Sequence, residues 1–417
     1  MLIKIPKGTQ DILPEDINKW YYIENIIRKI LNKYGYKEIR TPIFEHTELF
    51  IRGIGESTDI VTKEMFTFPD RKGRSLTLRP EGTASVVRAY LENRMDRTAK
   101  VTKLFYFGPM FRCEKPQAGR FRQFNQFGIE IIGTKSPAAD AEVITVALEL
   151  YKELGLKNLK VLINSVGCKK CRADYINKFK AFLEKNEDLL CYECKKRIKK
   201  NPLRVLDCKN KNCQAVLKDA PKIVNNLCQE CNMHFEKVKS LLDDLKIEYA
   251  IDDKLVRGLD YYTKTAFEII SGELGAQNAI AGGGRYDDLI EELEGKPTPA
   301  VGFAAGIERM IITMDKQNIK WPEDKSLDVF VAKIDEKNST IAFLLLQEIR
   351  ENGMSADMDY SEGSLKSQMR IANKLGVKYT IIVGEEELSK NMVIIRNMQT
   401  KEQKKIEINN LINELSS

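Results

Sequence analysis

Arg112, Glu114, Gln126 and Glu130 fall at even positions of two neighbouring stretches, Phe105 to Glu114 and Phe121 to Ile132. Each stretch alternates two kinds of side chain, which is the period of a β-strand. Odd positions carry Phe105, Phe107, Phe111, Phe127, Ile129 and Ile131, whereas Tyr106 joins the charged set on the even face. Two adjacent antiparallel strands of this kind converge charge on one face, where guanidinium groups suit anions and carboxylates suit polar donors. The intervening Lys115-Pro-Gln-Ala-Gly-Arg120 is too long for a tight hairpin turn, and its basic groups suit phosphate. Alternation alone would equally describe a solvent-facing hairpin with idle surface charge.

A second chemistry lies in the cysteines, eight of nine of which fall between Cys168 and Cys231. They form Cys168-x-x-Cys171, Cys191-x-x-Cys194, Cys208-x4-Cys213 and Cys228-x-x-Cys231. Such spacings suit tetrahedral thiolate coordination, so one or two zinc ions are expected, and a reducing cytosol argues against disulfides. Without metal these would be small buried residues.

With 417 residues, 43% apolar content and 30% charge, the chain should be a multidomain globular protein. Its N-terminus lacks a long apolar core and no run approaches a membrane span, so a cytoplasmic location is expected. A net charge of +7 permits a polyanionic partner without demanding one. The basic cluster Lys195-Lys-Arg-Ile-Lys-Lys200 is either a solvated helix face or a phosphate contact.

The elements that must position these groups follow from periodicity. Ile17, Trp20, Ile23, Ile27, Leu31 and Tyr34 recur at helical spacing before Gly35. Lys37 to Glu45 is extended, but Pro42 confines it to an edge or interface, a place suited to a dimer. Thr77 to Thr83 leads into a helix at Ala84 to Leu91, whose N-terminus should leave backbone N–H groups available. A helix at Asp140 to Leu154 and a strand at Leu159 to Asn164 precede a cysteine-bearing helical insertion. The sheet resumes at Leu255 to Thr263 and Ala266 to Ile270, with Gly258 permitting a bend. Ala281 to Asp287 reads as a glycine loop, and Pro299 to Ile312 as a small-residue strand running into a helix that carries Arg309. After a linker at Lys320 to Lys325, Leu327 opens a separate α/β unit. The predicted domains are thus 1–164 and 246–320 for the main body, 165–245 for the insertion, and 327–417 for the C-terminal unit.

Seven segments, in this order, resemble the histidyl-tRNA synthetase family: Lys7-Gly-Thr-Gln-Asp11, Leu78-Arg-Pro-Glu-Gly-Thr83, Phe111-Arg-Cys-Glu114, Gly119-Arg-Phe-Arg-Gln-Phe124, Arg257-Gly-Leu-Asp-Tyr-Tyr262, Gly282-Gly-Gly-Arg-Tyr286 and Gly302-Phe-Ala-Ala-Gly-Ile-Glu-Arg309. The resemblance covers nearly the whole chain, most firmly to about residue 315. It implies an α+β catalytic domain of the class II synthetase fold, with an antiparallel sheet flanked by helices. It also implies an insertion touching the tRNA acceptor arm and a C-terminal α/β anticodon-binding domain. The implied reaction joins L-histidine to ATP, with Mg2+, and then charges tRNA(His).

Carried over by that resemblance, Arg257 and Arg112 are the catalytic candidates, set against the α-phosphate. Arg120 and Arg309 would hold the outer phosphates, Glu114 the adenine amino group, and Phe124 would stack on adenine. Glu81, Thr83 and Gln126 match contacts to the substrate ammonium and carboxylate; Glu130 and Tyr262 bracket the imidazole, with Tyr286 lining the pocket. The loop around Lys115, Gln117 and Arg120 would lie beside the first acceptor pair, and Pro42 in a homodimer-forming motif. Cys113 and Phe121 occupy places that vary in the family, and the eight clustered cysteines are not required by its chemistry. A catalytically silent paralogue, such as a histidine-sensing regulatory subunit of ATP phosphoribosyltransferase, is the alternative; it would lack the C-terminal unit and have lost these arginines.

Overall fold

The computed structural model describes residues 3–416 except Ser57, Gln117, Ala118, Asp207, 275–277, 323–325 and Glu362, and all but the side chain of Lys200. The roles expected of Gln117 and the end of the linker therefore lie outside the described residues, as does that of the Lys200 side chain. The chain divides into two compact units, Met1–Pro322 and Glu323–Ser417.

Eight strands make the main sheet of the first unit: β1 (Lys37–Glu38), β2 (Thr102–Phe111), β3 (Gln123–Ile132), β4 (Leu159–Ser165), β5 (Tyr249–Ile251), β6 (Thr263–Ser271), β7 (Ala279–Arg285) and β8 (Ala300–Gly306). Their spatial order is β1-β2-β3-β8-β7-β6-β4-β5. The six central strands pair antiparallel, as expected, while short β1 and β5 add parallel to the edges.

One sheet face is covered by two long helices, Pro14–Lys33 and Pro137–Glu153. The first buries Trp20, Ile23, Ile27, Ile30 and Leu31, and the second Val143, Ile144, Ala147 and Leu150, against Phe105, Phe127, Ile129 and Ile131. Each such aliphatic side chain contributes about 1.5–3 kcal/mol on burial. Pro137 opens the second helix, where its missing N–H costs nothing, and Ser136 caps it by accepting from the Ala138 N–H at 3.3 Å.

The alternation held for that face but not for the other. Leu104, Tyr106 and Met110 of β2 pack with Val86 of the helix Thr83–Glu92 into an apolar cluster. The even face of β2 is therefore partly greasy, and Phe111 lies outside the odd-face core. Arg112 and Glu114 follow the strand end rather than sitting within it.

Ala281 to Asp287 is corrected from a loop to strand β7 over most of its length. Three glycines there serve close packing, since a Cβ at Gly283 would stand 2.2 Å from the Gly302 carbonyl oxygen. Leu255 to Tyr262 carries turns and no strand. Gly258 keeps an ordinary backbone with room for a side chain, its nearest contact being Arg204 Nη1 at 3.7 Å.

Arg285, fully buried, ends β7. Its Nε donates to both Asp140 carboxylate oxygens at 3.1–3.2 Å, and Nη1 donates to the Thr134 carbonyl at 2.8 Å and to Asp287 at 3.0 Å. His234 Nε2 lies 3.1 Å from the same Asp140. Burial pushes Asp140 up, but Arg285 and His234 outweigh it and hold the carboxyl below its ordinary range.

The second unit has its own five-stranded sheet. Val329–Lys333 pairs parallel with Ala356–Met358 and Tyr379–Val383, and Met392–Asn397 with Gln403–Glu407 extend it antiparallel. The helix Ser339–Glu351 buries Ala342, Leu345, Leu346 and Ile349 against this sheet.

Asp140→Ala should destabilise the chain by about 3–5 kcal/mol, because it strands a buried guanidinium. The urea midpoint at constant m-value measures this.

Candidate active site

On the sheet face opposite the two long helices lies a cavity of about 340 Å³. Its lining includes every proposed substrate residue: Glu81, Thr83, Arg112, Glu114, Arg120, Phe124, Gln126, Glu130, Arg257, Tyr262, Tyr286 and Arg309. Residues more than 200 positions apart in sequence thus converge, through β3, β7 and β8 lying side by side.

Glycines make the space. Gly302 on β8 sits opposite Glu130 on β3, and a Cβ there would stand 1.9 Å from Glu130 Oε2. Gly282 on β7 leaves room for Arg257, whose Nη2 would meet an added Cβ at 2.1 Å.

At one end, Glu130 is buried and accepts from Thr83 Oγ1 at 2.8 Å and from the Tyr286 hydroxyl. Burial pushes its carboxyl up to about 8, against the pull of those two donors. Tyr262 and Tyr261 complete an aromatic wall, with Tyr261 ring centroids 4.7 Å from Tyr262 and 5.7 Å from Tyr286.

Glu81 differs from expectation. Its carboxylate accepts the Thr83 N–H at 2.8 Å and the Ala84 N–H at 2.7 Å, so it caps the helix Thr83–Glu92 itself. Two of the N-terminal N–H groups predicted to be available, those of Thr83 and Ala84, are in fact engaged.

At the other end the cations gather. Arg112 Nε donates to the Pro80 carbonyl at 2.9 Å, and its guanidinium lies over the Phe124 ring at 5.4 Å. Arg120 pairs with Glu114 at 2.7 Å, with Arg112 at 3.9 Å from the same carboxylate. Arg309 donates to the carbonyls of Gly119 and Ala279, tying the loop to β7. Arg257 pairs with Glu268 on β6 and lies 5.9 Å from the Tyr262 ring centre.

Two polar atoms in the cavity, Gln126 Oε1 and Arg257 Nε, are buried with no hydrogen-bond partner among the described residues. Leaving such a group unsatisfied costs about 1–3 kcal/mol, which a polar substrate would relieve.

The cysteines resolve into two clusters: Cys168, Cys171, Cys228 and Cys231, and Cys191, Cys194, Cys208 and Cys213. Within each, all four sulfurs lie within 4.8 Å of one another. Sulfur separations of 3.7, 3.9, 3.8 and 3.8 Å fit the edge of a tetrathiolate tetrahedron, about 3.8 Å when metal–sulfur bonds are about 2.3 Å. They are far too long for a disulfide. Cys168, Cys191 and Cys228 are helix N-caps, and Cys171, Cys194, Cys213 and Cys231 lie in first turns, where burial pushes the four first-turn thiols up. The Cys168 and Cys191 N–H groups each donate to a cluster sulfur at 3.2 Å.

Sequence reasoning missed Tyr261, Glu268 and Glu308 in the lining. A signal for Glu268 was present, a lone carboxylate inside the apolar run Ala266 to Ile270. In the basic cluster, Arg197 turns inward to the Arg204 carbonyl at 3.0 Å, while Lys196 and Lys199 stay exposed.

The sheet, its helical cover and the arginine-lined cavity have the class II aminoacyl-tRNA synthetase fold. The crystal structure of apo S. aureus histidyl-tRNA synthetase superposes with a TM-score of 0.84 and 41% identity, covering 100% of both chains. The model of the family described as Histidyl-tRNA synthetase matches residues 8–310, and that described as Anticodon binding domain matches 328–417. A histidine–tRNA ligase of Halothermothrix orenii is 55% identical over 415 residues, covering 100% of this chain and 99% of that protein. One from Clostridioides difficile is 48% identical over 416 residues, covering 100% and 99%. The chain belongs to the histidyl-tRNA synthetase family.

Glu130 generates a pH prediction. Its folded form keeps a proton from the ordinary carboxyl value of 4.5 to about 8, whereas the unfolded chain has already lost it. Stability from this group is therefore full below that window and declines as pH rises through it. Glu130→Gln, which has no proton to lose, should flatten the decline, and urea midpoints taken across the window for both proteins measure it.

Proposed function

We propose that this chain activates L-histidine with ATP to histidyl-adenylate and transfers the histidyl group to the 3′ end of tRNA(His). The observation that carries this is the meeting of Arg112, Arg257 and Arg309 with the Glu130, Tyr262 and Tyr286 wall in one cavity. A histidine carboxylate oxygen attacks the α-phosphorus, the bond to the β-phosphate oxygen breaks, and pyrophosphate leaves. A terminal ribose hydroxyl then attacks the activated carbonyl, and AMP departs.

Arg257 and Arg112 hold the α-phosphate and stabilise charge as it develops there, work that is mostly positioning and electrostatics. Arg309 and Arg120 take the outer phosphates, Arg120 exchanging Glu114 for them. Glu114 then meets the adenine amino group and Phe124 stacks on the ring. Gln126 Oε1, lacking a partner, suits the substrate ammonium beside Glu81 and Thr83. Glu130 and Tyr262 face the two imidazole nitrogens, with Tyr286 holding Glu130. An isostere would leave those buried groups unpaired, which supplies discrimination.

Magnesium bound with the nucleotide would supply neutralisation of phosphate charge, with phosphate oxygens and water as most of its ligands and the cavity carboxylates Glu114 and Glu268 as the protein groups that could hold it. Two structural zinc ions fit the cysteine tetrads.

The insertion, 165–245, meets the acceptor arm through Lys196 and Lys199, and the unit 327–417 reads the anticodon. Exposed Ile43 and Phe44 beside Pro42, with Phe68 packed edge-on at 6.4 Å from Phe44, support a homodimer. Among the described residues no helix is long and apolar enough to cross a membrane, which agrees with cytoplasmic work. The C-terminal unit and the retained arginines weigh against a silent regulatory paralogue.

Pyrophosphate exchange into ATP should respond to histidine and not to proline; an equal response would end the assignment. Arg257→Gln should lower exchange on the order of 100-fold, the size of losing one preorganised charge donor. Purified protein should carry two zinc ions per chain by elemental analysis, one for each tetrad; substoichiometric zinc with the eight clustered thiols titratable besides Cys113 would refute the sites.

A further inference from the structure

The loop that carries Arg257 has no helix or strand between Ile251 and Thr263, so no ladder fixes it. The main body holds it through Asn164 Nδ2, which donates to the Leu255 carbonyl at 2.9 Å, and through the Asp260 N–H, which donates to the Ile54 carbonyl at 3.0 Å; the insertion adds a grip next to Arg257 itself. Arg204 donates from Nη1 to the Arg257 carbonyl at 3.4 Å and from Nη2 to the Gly258 carbonyl at 3.2 Å. Asn201 Nδ2 donates to Asp260 Oδ1 at 3.2 Å. At the far end of the loop, Arg172, the neighbour of Cys171, donates to the Tyr262 carbonyl.

Arg204 belongs to a short turn, Pro202–Val205, with Asn201 at its N-cap, strung between Cys194 and Cys208. Both cysteines are members of the distal tetrad. Arg197, on the helix that carries Cys194, holds the turn from behind through the Arg204 carbonyl at 3.0 Å. Further stays run from Gln214, beside Cys213, to the Cys208 carbonyl and from Lys254 to Gln214 at 2.8 Å.

We infer that the distal site, Cys191, Cys194, Cys208 and Cys213 around zinc, is a positioning element for histidine activation. The metal closes the Cys194 to Cys208 loop, the closed loop fixes Arg204, and Arg204 holds the backbone from which Arg257 reaches the α-phosphate. Arg204 touches no reacting atom and is a positioning residue. Placement errors of about 1 Å at such a group cost on the order of 100-fold in rate, so a backbone clamp has leverage. This inference rests on the activity proposed above.

The test is histidine-dependent pyrophosphate exchange with the full chain, alongside zinc content. Arg204→Ala should keep both zinc ions and KM values within about twofold, while kcat falls about tenfold, the pattern of a lost transition-state arrangement. Arg204→Lys, which restores one donor, should recover part of that loss. Cys208→Ser should lose one zinc and a similar factor in kcat, and the double variant should be no slower than about the worse single one, because both act through one contact. Full kcat in Arg204→Ala, or losses that multiply in the double variant, would overturn the inference. Should Cys208→Ser fail to fold, the two Arg204 variants decide alone. A wild-type chain inactive with histidine rejects the underlying activity; an active one indifferent to Arg204→Ala rejects only the clamp.

Discussion

Large charged side chains can crowd one face of a β-sheet only where the backbone opposite them carries nothing. Gly302 opposite Glu130 and Gly282 beneath Arg257 are such places, and a single methyl group at either would collide with the functional atom. The cavity is thus carved from missing side chains on β7 and β8, while β3, the loops before β3 and β6, the end of β7 and the helix after β8 supply groups that fill it. Everything chemical in the first unit depends on that division of labour between strands.

The same sheet joins two kinds of burial. Its lower face is a conventional apolar core under two long helices. Its upper face buries carboxylates and tyrosines whose polar atoms satisfy one another, Thr83 and Tyr286 on Glu130 being the clearest case. Arg285 and Tyr286, adjacent in sequence, divide between separate networks. Arg285 anchors the end of β7 to Asp140, and Tyr286 thereby meets Glu130 in the cavity. A buried ion pair is a weak source of net stability, and here its geometric consequence is to set where the tyrosine lies.

The insertion is tied to this framework at its neck and at its distal turn. Cys168 follows closely on β4 and Cys228 caps the returning helix, so the proximal tetrad joins the outgoing and incoming chain. Sulfurs at these helix N-termini accept otherwise orphaned N–H groups, those of Cys168 and Cys191. The same segment also buries an apolar cluster that includes Tyr175, Phe179, Leu183 and Ile198.

Local pattern determined a good deal. Helical spacing from Ile17 to Tyr34, the strand at Leu159, the C-terminal Val329–Lys333, Ser339–Glu351 and Tyr379–Val383 elements, and the grouping of cysteines into knuckles all follow from periods and spacings a few residues long. The ATP- and histidine-binding residues named from family resemblance all line one cavity, although nothing in their spacing alone would have joined Glu81 to Arg309. Tertiary structure alone decided that the glycines of 282–284 form a strand and which knuckle pairs with which. It also decided that the even face of β2 packs Leu104, Tyr106 and Met110 against Val86. The reason is physical: periodicity reports which side of an element is buried, whereas strand order, close approach and sulfur pairing arise between segments far apart in the chain. No local window contains both partners of such a contact.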